Sequence, residues 1–134
     1  MKRIVLNFII LLVAIPAMVC CSYNDDDEPT DYKTAVQYRV TVDEPIIAAV
    51  QYRQADGVMV AETDPTHTAQ QWFTTEYVDP PFEAEKHVHL VNNSLAHVPY
   101  TLSIYVDGDL IKTEKGTVMP QTEEMAMIDH DVVE

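Results

Sequence analysis

Beyond residue 33 the chain is dominated by period-two alternation of apolar and polar positions. Val36, Tyr38, Val40 and Val42 fall on one face of an extended segment, with Gln37, Arg39 and Thr41 on the other, the pattern of a strand buried on one side. Asp43-Glu44-Pro45 interrupts it. Residues 46–53 predict a second strand with Ala48, Val50 and Tyr52 on one face, and Asp56-Gly57 predicts a turn, because this pair readily accepts positive φ. Residues 58–61 form a short third strand, and the polar stretch 62–70, with Asp64-Pro65, reads as a loop. In the fourth, residues 72–78, Trp72, Thr74 and Glu76 oppose Phe73, Thr75 and Tyr77. Asp79-Pro80-Pro81 ends it, since proline has no N–H for a ladder.

Residues 82–91 make a fifth strand, followed by an Asn92-Asn93-Ser94 loop. Tyr100, Leu102, Ile104 and Val106 mark the clearest strand. Asp107-Gly108 predicts a type I′ hairpin turn into residues 109–114, Lys115-Gly116 a further turn, and residues 125–128 a last strand. No window carries a helical stripe over three turns. Seven to eight short strands predict an all-β fold: an antiparallel β-sandwich, immunoglobulin-like in outline.

The first thirty residues follow another rule. Lys2 and Arg3 precede an apolar run at residues 4–19, about sixteen residues where a spanning helix needs roughly twenty. A basic start and a short apolar core make a secretory signal. Cys20-Cys21 stands where small-residue cleavage is expected, so the segment looks like a lipoprotein signal. Val19 is β-branched and fits poorly beside a scissile bond, whereas a thiol is small. Cys21 is therefore the expected lipid-bearing N-terminus, with Cys20 the alternative and ordinary secretion after Ala17 the third reading. The expected organisation is a signal at 1–20, a flexible acidic linker with the lipidated cysteine at 21–33, and a β-sandwich at 34–134. With Cys21 acylated no thiol remains for an internal disulfide, and the core must hold the fold alone.

Ser22 and the run Asp25-Asp26-Asp27-Glu28 resemble the surface-export signal of Bacteroidota lipoproteins, which implies the outer membrane with the domain facing the cell exterior. The same run also suits a solvated linker. Removing the signal leaves six basic side chains against twenty-two acidic ones, a net charge of −16. No basic footprint exists to neutralise phosphates, so nucleic acid is excluded as an expected partner.

Candidate chemistry is sparse. Glu83, Glu85, His87 and His89 alternate and so share a strand face, opposite Phe82, Ala84, Val88 and Leu90, with Lys86 out of place among the apolar set. His87 and His89, with Glu85 as a third ligand, are the metal candidates, and a second element would have to add His67, His97 or His130. A solvated sheet face explains the same residues, so no metal or other cofactor is expected. Asp107-Gly108-Asp109 lacks the acid spacing of a calcium loop. Ser94 and Ser103 are outside any Gly-x-Ser-x-Gly elbow, and three glycines make no phosphate cradle. Trp72, Phe73 and Tyr77, with Phe82 nearby, are the ligand-binding candidates for a glycan or peptide, against the alternative that they fill the core.

Residues 38–112 resemble the MmpS-like family of membrane-tethered β-sandwich proteins. The carrying features are Tyr38-Arg39-Val40, Val50-Gln51-Tyr52 leading into Asp56-Gly57, Gln71-Trp72, Pro80-Pro81-Phe82, and the run from Leu102 through Ser103, Ile104, Tyr105 and Val106 to Asp107-Gly108. The resemblance implies a sandwich fold and an accessory role beside lipid exporters. This chain lacks the paired cysteines that many such domains carry in their later strands, and its expected anchor is a lipid instead of a transmembrane helix. The expectation is a non-catalytic, lipid-anchored interaction or accessory module, with an envelope protein complex as a candidate partner; the alternative is a surface ligand-binding lipoprotein for glycan or peptide.

Overall fold

The computed structural model describes residues 32–63 and 70–134. The signal, both cysteines, the acidic run and His67 lie outside the described residues. The described residues belong to one compact unit and among them are eight strands: β1 Thr34–Val42, β2 Ile47–Arg53, β3 Met59–Glu62, β4 Gln71–Val78, β5 Phe82–Asn92, β6 Val98–Val106, β7 Asp109–Val118 and β8 Thr122–Val132. They make two antiparallel sheets, ordered β4-β1-β6-β7 and β3-β2-β5-β8. The expected all-β sandwich is the observed architecture. It has four strands in each layer, where an immunoglobulin constant domain has four and three.

The alternation seen in sequence is the alternation of burial. Val36, Tyr38 and Val40 are fully buried, as are Val88, Leu90, Leu102 and Ile104. Each such aliphatic side chain contributes about 1.5–3 kcal/mol by leaving water, and together they fill the space between the layers. Tyr38, Tyr52 and Trp72 form a tilted aromatic row, with ring centroids 5.7 and 5.4 Å apart. Their polar ends are satisfied: Tyr38 Oη donates to the Arg53 carbonyl at 3.0 Å, and Trp72 Nε1 to Glu62 at 2.8 Å. A register shift between Ile47 and Ala49 lets Ile47 and Val50 both face inward, so the strict alternation of Ala48, Val50 and Tyr52 holds only after the bulge.

The Asp-Gly turns form as expected. Asp107 and Gly108 both take positive φ, 50° and 90°, the signature of a type I′ hairpin. The Asp107 carboxylate also accepts from the Ala35 amide at 2.8 Å, tying this hairpin to β1. Gly57, at φ 82°, turns β2 into β3.

Two expectations at the C-terminal end are overturned. Lys115-Gly116 is not a turn: β7 runs straight through it to Val118, and the chain reverses at Pro120-Gln121, where Gln121 has φ 55°. Gly116 serves packing instead. A β-carbon there would sit 2.3 Å from Cζ and Oη of Tyr100, whose ring lies against the strand. The last strand is also longer than residues 125–128. It covers Thr122–Val132, pairing Asp129 with Glu85 and Asp131 with Glu83, so these acids belong to the sheet and not to a frayed tail.

Candidate functional site

The two layers present two outer faces of different chemistry. On the β4-β1-β6-β7 sheet, register places Phe73 beside Arg39, Thr75 beside Gln37, and Tyr105 beside both Gln37 and Leu110. Arg39 organises the centre. Its guanidinium lies over the Tyr105 ring, 4.9 Å from the centroid, and donates to Gln37 Oε1 at 3.1 Å. Gln37 in turn donates to Thr75 Oγ1 at 3.4 Å. Around this centre Phe73, Tyr77, Leu110 and Ile111 are 49%, 61%, 56% and 44% exposed. An aromatic and aliphatic surface with an arginine at its middle stands out on a chain otherwise crowded with carboxylates.

The predicted aromatic platform is thereby split. Trp72 is 1% exposed and Phe82 is buried, both inside the core, because a strand sends consecutive residues to opposite faces. Phe73 and Tyr77 remain on the surface, Phe73 beside Arg39 and Tyr77 beside Ala35, with Tyr105 and Leu110 on the strands beyond β1, residues the sequence reading did not group with them. Only the pairing of β4 with β1, β1 with β6 and β6 with β7 places them on one face.

The outer face of the β3-β2-β5-β8 sheet carries Glu83, Glu85, His87 and His89, as alternation predicts. Arg53 of β2 binds the Glu85 carboxylate closely and lies 3.6 Å from Glu83. Glu85 also accepts from His87 Nε2 at 2.7 Å. The hydrogen bond from His87, then Arg53, hold its carboxyl below the usual range. His89 Nε2 meets Glu123 of β8 at 2.8 Å. Among the described residues no three His, Cys, Asp or Glu side chains converge on a metal position; the Glu85 carboxylate is engaged by Arg53 and His87. His97 is in the exposed loop before β6, and His130 is paired with Ala84 on the opposite face of the sheet.

Lys86, the residue out of place in sequence, is fully buried. Its side chain crosses the sandwich, and Nζ donates to the carbonyls of Arg39 and Ser103, at 2.5 and 3.2 Å. Desolvation pushes its pKa down to about 7. The serines are equally structural: Ser103 is buried, and Ser94 Oγ donates to Asn92 Oδ1 at 2.8 Å within a turn. Depressions of about 270 Å³ beside Phe82 and Val132, and about 280 Å³ beside Asn93 and Thr122, contain neither a histidine nor an aromatic from the outer faces. Both fall below the roughly 300 Å³ at which small-molecule sites begin. Compared with known proteins, the chain matches no family model and no characterised sequence.

Proposed function

We propose that this protein is a non-catalytic interaction module, held at the outer membrane by a lipid on Cys21 and facing the cell exterior, whose β4-β1-β6-β7 face docks a protein partner in the envelope. The observation that supports this reading most is the cluster of exposed Phe73, Tyr77, Leu110 and Ile111 around Arg39 and Tyr105. Aromatic residues and arginine are the types enriched at protein interfaces and at their energetic centres. A net charge of −16 after signal removal keeps anionic surfaces away and favours a neutral or cationic partner.

The test is the size of the particle extracted from membranes in mild detergent. The unchanged protein migrates as a complex larger than its own micelle, and Phe73→Ser with Tyr77→Ser returns it to the lone size. Both positions are exposed, so the double variant keeps its melting temperature within the small range of surface changes. A complex that survives these substitutions refutes this face as the docking surface. A glycan is the second reading, favoured by the amide and hydroxyl of Gln37 and Thr75 lying between aromatic rings. It is separated by adding oligosaccharide and following the Tyr77 ring signals. Tryptophan emission is a poor reporter here, because Trp72 is inside the core.

A further inference from the structure

The outer face of the second sheet holds two residues that the histidine pattern alone does not reveal. β5 and β8 pair in a register that sets His87 directly opposite Met127 and His89 directly opposite Met125. Met125 and Met127 are 61% and 56% exposed. All four side chains alternate outward, so two imidazoles and two thioethers form a two-by-two array on one surface. Opposite residues of an antiparallel pair have β-carbons about 4.5–5.5 Å apart, and successive outward residues follow at about 6.8 Å along the strand. The four side chains thus share one stretch of the sheet surface, with the two rings turned towards Glu85 and Glu123 at its ends.

We propose that His87, His89, Met125 and Met127 form a binding site for a soft monovalent d10 cation, Cu(I) or Ag(I). Ligand softness selects the ion. Thioether sulfur is a poor donor to Zn²⁺ or Mg²⁺ and a good one to Cu(I), while imidazole suits both classes. The two carboxylates that meet the rings are already engaged: Glu85 by Arg53 and His87, Glu123 by His89. Those same contacts orient the rings. Each Nε2 meets a carboxylate oxygen, which leaves Nδ1 as the ring nitrogen that would face a cation. This is the outer-shell carboxylate arrangement that fixes tautomer and ring orientation in metal-binding histidines. On the other flank β2 places Ala49 beside His89 and Gln51 beside His87, so no bulky apolar group covers the array. Glu83, Asp129 and Asp131 are on the same face and draw cations towards it.

The test uses Ag(I), which brings no redox chemistry, on the full chain with its cysteine thiols blocked by alkylation and its methionine methyl groups ¹³C-labelled. One equivalent shifts the signals of Met125 and Met127 and leaves Met59 and Met119 in place. The Met125→Leu, Met127→Leu variant, which conserves volume at exposed positions, binds at least tenfold more weakly, and so does His87→Gln, His89→Gln. Cu(I) held under reductant reproduces the pattern, and equimolar Zn²⁺ does not. Equal shifts at Met59, Met119, Met125 and Met127, undiminished binding by the leucine variant, or Zn²⁺ binding as tight as Ag(I) would each overturn the proposal.

Discussion

Lys86 shows how one residue can oppose the fold that contains it. Its neighbours in the core are apolar, and two backbone carbonyls are its hydrogen-bond partners. The unfolded chain holds the lysine proton up to about pH 10.5, and the folded chain only to about 7. Between these values the unfolded state binds more protons, so stability rises with pH; below pH 7 both states are charged and the full cost of burying the ammonium persists. Tyr100 sets the upper edge of the window. Burial first, then the Glu124 carboxylate, push its pKa up to about 12, so its contribution to stability is lost as pH climbs from 10 through 12. Replacing Lys86 with Met keeps the volume and removes the charge. It should stabilise the domain at and below pH 7 by about 1–4 kcal/mol and flatten the rise between pH 7 and 10, as read by denaturant titration across that range. An unchanged slope would show that Lys86 is not its source. Gly116 is the second decisive residue. Gly116→Ala forces the Tyr100 ring off the strand and breaks its 2.6 Å bond to Glu124, at a cost of about 1–3 kcal/mol. In a Tyr100→Ala background the same change should cost little, and a double-mutant cycle measures the difference.

At the scale of elements, strands are held together at their ends as much as along their length. Asn92, 1% exposed at the end of β5, donates from Nδ2 to the carbonyls of Ala96, Val118 and Met119 at 2.8, 3.2 and 3.1 Å. Its Oδ1 accepts from the Ser94 amide at 2.9 Å. One side chain thus fastens the β5–β6 loop to the end of β7. Asn92→Ala removes all four of these hydrogen bonds at once, each contributing about 0.5–1.5 kcal/mol net. The loss of stability should accordingly exceed that of Asn93→Ala, whose side chain is exposed; equal melting temperatures would contradict it.

These elements also mark what sequence can convey. Strands β1, β2, β4, β5 and β6 were legible because apolar residues alternate there and Asp-Gly or proline closes the ends. β7 was legible only over residues 109–114, from its Asp-Gly turn, and not on to Val118, since Lys112, Glu114 and Gly116 at its inward positions make a polar and small set at the edge of the sandwich. Gly116 looked like a turn because a missing side chain announces either flexibility or close approach, and only the partner strand tells which. The site followed the same logic. The His87 and His89 face was visible within one strand, whereas Met125, Met127, Arg39 and Tyr105 join their neighbours through pairing with other strands, which no local pattern records.

For the whole molecule, the proposed lipid on Cys21 would tether an acidic domain to a membrane. Cys21→Ala should release the protein into the soluble fraction, whereas Cys20→Ala should leave it membrane-bound; membrane association persisting in the first variant would refute lipidation at Cys21. Replacing Asp25, Asp26, Asp27 and Glu28 with Ala should retain the anchor but protect the domain from protease added to intact cells. If protease still reaches it, the acidic run does not direct export.

The docking face carries the central claim, and site-specific photocrosslinking in living cells tests it most directly. A photoreactive residue at position 77, on the β4-β1-β6-β7 face, should give one discrete protein adduct. The same residue at position 119, exposed beside the β7–β8 turn, should give none. An adduct from position 77 that disappears with Phe73→Ser is the predicted result; no adduct at 77, or the same adduct from both positions, would contradict the account.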